Sequence, residues 1–377
     1  MLPRSKNIIL LFFFLTITAF GNPQSENVVT NSQNAAIISR ALESIYKWDF
    51  DQGVAEITQL EQEIGEHPAV YLLKALNLYW QNVPLSHGQP ETKEYMKLLT
   101  KTVELSDQQL EKNSSDTEGI FFKMLAKSMK MRQFSSDNAT FKAIGEAKDV
   151  YTLLRIGVDK KEEFNEFYFT TGIYNYYREA YPETYPVYKP VAMFLPSGDK
   201  EEGIKQLYYA KDNAMFTSAE ARRYLISIYT NYENQLDKAI ELSSENVKQY
   251  PNNLFFITSH LFILLRSNQI ENGLPLMDKL FQSEDTFYQA VAYAMHGYYD
   301  WKKGNQETGQ EQLLKAEELI QNHKDRNDYV ASFIYSELYR CYKSQNNLSL
   351  AKNYERKTND ELFGKENIER VNKEENW

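Results

Sequence analysis

The sequence predicts an all-α protein built of stacked antiparallel helix pairs. Three observations predict it. Chain-breaking residues are scarce: 15 Gly and 11 Pro in 377 residues leave too few tight turns for an all-β fold. Aromatic residues make up 14% of the chain, with 27 Tyr and 21 Phe, a supply of large side chains that suits the space between helices. Apolar residues recur at spacings of three and four, and no convincing strand-like alternation competes with them. With 42% apolar and 25% charged residues the composition is globular, and the length suits two to three domains or one extended array.

Taken in order, residues 1–21 have the layout of a secretory signal peptide. Arg4 and Lys6 supply a positive start, the run Ile8 to Phe20 is apolar except for Thr16 and Thr18, and Ala19 and Gly21 are the small residues of a cut after Gly21. As a helix that run would span only about 20 Å, short of a hydrocarbon core of ~30 Å. No Cys stands near the cut to carry a lipid, and no later segment is apolar enough to span a membrane, so no transmembrane anchor is expected after cleavage. The expected location is outside the cytoplasm, most simply the periplasm of a Gram-negative bacterium. The net charge is −10, and loss of Arg4 and Lys6 leaves 40 basic against 52 acidic side chains, a net of −12. An acidic chain gains nothing from counterion release at phosphates, which excludes nucleic acid as a partner. The lone Cys341 permits no intramolecular disulfide and reads as a small buried residue.

Residues 22–33, rich in Asn, Gln, Ser and Thr, are expected to be a flexible leader. Residues 34–180 are expected to be a region of helical pairs. Ile37, Ala41 and Ile45 share one face, Val54, Ile57, Leu60 and Ile64 mark a second helix, and Val70, Leu73, Leu76 and Tyr79 a third, with Gly65 and Pro68 between them. Residues 181–198 break the pattern: Pro182, Pro186, Pro190 and Pro196 predict an irregular connector following an aromatic helix that carries Phe167, Tyr174 and Tyr177. In 199–360 a small residue recurs near the start of every second helix, at Gly203, Ala239, Gly273, Gly309 and Ala351, at intervals of 36, 34, 36 and 42. The tail, 361–377, is charged and expected to fray.

The period near 34, the small residue where helices approach, and Pro251 twelve positions after Ala239 resemble the tetratricopeptide repeat. The resemblance covers 200–360 well and 35–80 moderately. It implies a tetratricopeptide-like α-solenoid, in which stacked pairs bury a core that one pair cannot and first helices line a concave surface. Register then places Arg222, Arg223, Tyr229, His260, Arg266, Tyr335 and Tyr339 as a candidate partner groove.

A search for chemistry is thin. Five His are scattered, with no His-Glu-x-x-His motif, no nucleophile elbow and no phosphate-cradling loop, so no catalytic residue, cofactor or metal site is assigned. Binding is therefore expected ahead of catalysis: an exported scaffold or adaptor that holds a protein or peptide in its groove. The alternative is a carbohydrate-binding or carbohydrate-active protein of the envelope. Its glycan would lie on an aromatic site of Tyr174, Tyr177, Arg178, Tyr181, Tyr185 and Tyr188, with Glu162, Glu166, Glu179 and Glu183 supplying any acid–base pair.

Overall fold

Helix follows helix, and no strand occurs among the described residues. The computed structural model describes residues 27–374 apart from 84, 86, 187–188, 324–327 and 362–363. The expected signal segment and the first part of the leader lie outside them. No helix of the described residues is long and apolar enough to cross a membrane.

The first helices start where their caps allow. Asn31 accepts the N–H groups of Gln33 and Asn34, both at 3.1 Å, to open α1 (Ser32–Lys47). Asp49 caps α2 (Phe50–Ile64), and Pro68 occupies the first turn of α3 (Pro68–Gln81), where its missing N–H costs nothing. Then come α4 (Pro90–Lys112), α5 (Thr117–Ser136), α6 (Thr140–Lys160) and α7 (Phe167–Thr184). A one-turn α8 (Lys189–Ala192) sits within the connector. The second half comprises α9 (Lys200–Asn213), α10 (Ser218–Asn231), α11 (Leu236–Gln249), α12 (Leu254–Arg266) and α13 (Leu274–Phe281). It continues through α14 (Thr286–Lys302), α15 (Gln306–Ile320), α16 (Asp328–Ser344), α17 (Leu348–Asn359) and α18 (Gly364–Glu374).

Packing is chiefly between sequence neighbours: α1 on α2, α3 on α4, α5 on α6, α7 on α9, α14 on α15 and α16 on α17. The recurring small residues are where these helices touch. A Cβ on Gly309 of α15 would lie 2.8 Å from the Gly297 oxygen of α14, and one on Gly203 of α9 would lie 2.8 Å from the Gly172 oxygen of α7. Ala239 is fully buried, and Ala351 nearly so. The aromatics fill the remaining space, as with Phe256, Phe262, Phe287 and Tyr288 in the core.

Four features differ from expectation. The leader is not loose throughout: Val28 and Val29 donate their backbone N–H groups to the buried Glu118 carboxylate, which ties the chain down from residue 27. The connector begins late, because α7 runs on to Thr184 with Pro182 in its last turn. There the ring's fixed φ suits a helix, and the loss is one partner for the Arg178 carbonyl. The tail does not simply fray. α18 packs on α16, with Val371 fully buried and Arg370 reaching the buried Glu337. Finally, distant pairs meet. Asn253 at the start of α12 donates to the Tyr46 carbonyl of α1 at 3.0 Å, and Trp80 of α3 lies edge-on to Phe255, centroids 5.6 Å apart. In an open array each unit would touch only its neighbours.

Candidate functional site

The groove residues do not share an open surface. Arg222 is buried and hydrogen-bonds Asn246 and Gln249 on α11. His260 is buried against the Ser243 hydroxyl at 2.7 Å, and burial lowers its pKa. Tyr229, Tyr335 and Tyr339 are also buried, because the face that register assigned to a partner is covered by the following helices. Arg223 is half-buried, and only Arg266 is exposed, where it bonds Asn231. The aromatic group divides as well. Tyr177 packs edge-on against Tyr176 and Tyr232. Tyr181 and Tyr185 are exposed and lean on each other, centroids 4.8 Å apart. Tyr188 lies outside the described residues. Arg178 donates to the Leu195 carbonyl, and Tyr174 to the Pro196 carbonyl, so both strap the connector to α7. The four carboxylates each serve a separate local contact: Glu162 takes the Tyr168 hydroxyl, Glu179 the Gly198 N–H and Glu183 the Lys200 ammonium.

Glu166, the fourth, is fully buried and structural. Its carboxylate accepts the N–H groups of Met215, Phe216 and Thr217 and the Thr217 hydroxyl, at 2.6–3.1 Å. Burial raises its pKa against the pull of these bonds. The clasp fixes the start of α10 and turns Thr217, Glu220 and Tyr224 toward a large internal space.

That space is a cavity of about 1120 Å³ among α3, α5, α6, α7 and α10. Its existence follows from α6. The C-terminal half of this helix is seated by Leu153, Leu154 and Gly157, where a Cβ on Gly157 would meet the Phe167 ring at 2.8 Å. The N-terminal half buries no side chain. It is held off the core by ion pairs with α5, from Lys127 to Glu146 (2.9 Å) and Asp149 (2.8 Å) and from Lys130 to Glu146 (3.0 Å). Ala143, Ala147, Val150 and Tyr151 of α6 line the space together with Met124, Leu125, Met129 and Met131 of the neighbouring α5, and Ile173 and Tyr174 of α7 form a third wall. Interiors otherwise pack at crystal density, which makes this space the candidate site.

One wall is polar. The Arg132 guanidinium stands 4.9 Å from the centre of the Tyr79 ring. Glu220, the acidic residue of the lining, is taken by Arg223 through two hydrogen bonds of 2.7 and 3.1 Å. Among the described residues no carboxylate comes within ion-pair distance of Arg132. At the rim, Phe141 is 92% exposed and Phe194 89%, joined by Ile144 and Met193.

Of the site residues singled out from the sequence, Tyr174 lies in the lining of this space and the other described ones do not. The signal was present in Met124, Met129 and Met131 on one helix, followed by a helix with apolar residues on more than one face. Methionine clusters of this kind mark adaptable binding surfaces. Elsewhere, no group of three metal-ligating side chains occurs among the described residues. Burial pushes the Cys341 thiol well above its usual pKa. No family model matches the chain, and a search of curated proteins finds no match either.

Proposed function

We propose that this chain is an exported helical-repeat binding protein whose ligand occupies the cavity beneath α6. The observation that carries the reading is the cavity itself: about 1120 Å³ with largely apolar walls, against the roughly 300–1,000 Å³ common for small-molecule sites. The function is retention rather than chemistry, because the walls are mainly apolar and Glu220, the carboxylate among them, is bonded to Arg223. A second reading, a protein partner that seats an apolar segment on the mouth, draws on the exposed Phe141, Ile144, Met193 and Phe194.

A neutral fluorophore that brightens in apolar surroundings, such as N-phenyl-1-naphthylamine, tests the first reading. The expected result is saturable binding to the whole protein and at least tenfold weaker binding to Ala147→Trp, which fills the cavity from α6, with circular dichroism unchanged. Absence of saturable binding, or equal binding by the filled variant, refutes it.

A further inference from the structure

We propose that the cavity's ligand is an acyl-chain anion, with a carboxylate or phosphate head on Arg132 and its tail along the wall between Met124 and Leu154. The inference rests on the reading of the cavity as the binding site and adds the chemistry of the occupant.

Four observations converge on that class. The first is charge. An arginine within the molecule keeps its charge at any physiological pH; the direct hydrogen bonds of the nearby Glu220 go to Arg223, so Arg132 lines the space with no direct carboxylate ion pair among the described residues, its charge supported by the Tyr79 ring and shared with Glu220 at longer range. Lys148 adds a second cation to the lining, in a chain whose net charge is −10. The second is the mainly apolar character of the walls. The hydroxyls of Ser128 and Thr170 bond the carbonyls of Met124 and Phe167, and that of Thr217 bonds Glu166. A peptide laid there would leave much of its own backbone unsatisfied, whereas a hydrocarbon tail asks for nothing. The third is shape: lining residues run along α5 from Met124 to Ser136, a rise of about 18 Å, which suits an extended tail rather than a compact ring. The fourth is the pair of exposed aromatics Phe141 and Phe194, each adjacent in the chain to a lining residue, Thr140 or Leu195.

The test is competition for bound cis-parinaric acid on the full chain by three compounds that share a sixteen-carbon tail: palmitate, hexadecanol and palmitoyl-lysophosphatidylglycerol. Palmitate or the lysolipid is expected to compete at least tenfold better than hexadecanol, the size of effect of a charge-assisted hydrogen bond in an apolar site. Whichever of the two anions is stronger identifies the head group as free carboxylate or phosphodiester. In Arg132→Gln the advantage of the anions disappears while hexadecanol competes as before. Arg132→Lys keeps the charge and part of the preference, which separates lost recognition from lost folding. Equal competition by palmitate and hexadecanol on the unaltered protein overturns the inference and leaves the cavity reading standing, as does an anion preference that survives in Arg132→Gln. If none of the three competes and the neutral fluorophore does not bind either, both readings fall.

Discussion

Glu118 and His67 are two buried titratable groups that face each other across 3.9 Å and that burial moves in opposite directions. Glu118 rises from 4.5 to about 7, so the folded state holds a proton that the unfolded chain releases. Its contribution to stability is full below about 4.5 and is lost as pH rises through about 7. His67 falls from 6.5 to about 4, so its contribution is full above 6.5 and is lost as pH falls through about 4. In the intact protein the two slopes oppose each other between about 4.5 and 6.5. Single variants separate them. Glu118→Gln should lose stability as pH falls from 6.5 toward 4.5, and His67→Asn should lose it as pH rises from 4.5 to 7, each by on the order of 3 kcal/mol. Urea midpoints across that range measure both, and slopes of the same sign in the two variants would refute the assignment. Asn is the choice at 67 because the His67 ring accepts the Ala69 N–H at the start of α3, a task an Asn side chain can take over.

Between elements, the close approaches are the sensitive points. A methyl added at Gly309 meets backbone at 2.8 Å on two sides, the Gly297 oxygen and the Trp301 nitrogen, with no flexible side chain to move aside. Gly309→Ala should therefore cost about 1–3 kcal/mol, read as a lowered Tm, whereas Gly145→Ala on α6, with nothing near its Cβ, should leave stability unchanged or raise it. The same contrast applies to motion. The N-terminal half of α6 buries no side chain, so its amides should exchange with solvent orders of magnitude faster than those of α5 around Phe121 and Phe122, and a bound ligand should slow them. Equal protection of the two helices would contradict the picture of α6 as the cavity's movable wall. These elements also show what was legible in advance. The helices, the recurring small positions at Gly203 and Gly309 and the aromatic core could be read because periodicity and close approach leave marks at fixed spacing. The cavity could not, because a space is defined by what several distant segments leave unfilled. The partner groove failed for a related reason: register tells which residues share a helix face, but not whether a neighbouring helix covers that face, as α11 does at His260 and α17 at Tyr335.

For the whole molecule the decisive contact is Asn253 with Tyr46, joining α12 to α1 across 207 positions of sequence. Asn253 is fully buried, and its other side-chain atom caps α12 at the Phe256 N–H. Asn253→Ala should cost about 1–3 kcal/mol and shift one cooperative unfolding transition as a unit. A second transition in the same melt would show instead that the two halves unfold separately. The clasp at Glu166 has a mechanical meaning of its own. It precedes α7 by one residue and grips the start of α10, so two walls of the cavity are riveted together at one end, close to where Gly157 locks α6 against Phe167. The other end, around Ser135, Thr140 and Leu195, is held by less buried ties, the ion pairs of Lys127 and Lys130 with α6 and the bonds of Tyr174 and Arg178 to the connector. If the cavity holds a ligand as proposed, its walls would work as a purse hinged on the buried side. A ligand would then pass the mouth by flexing a few turns of α6, while the rivet keeps the remaining walls in register, and its rate of exchange would follow that local flexing and not the stability of the protein.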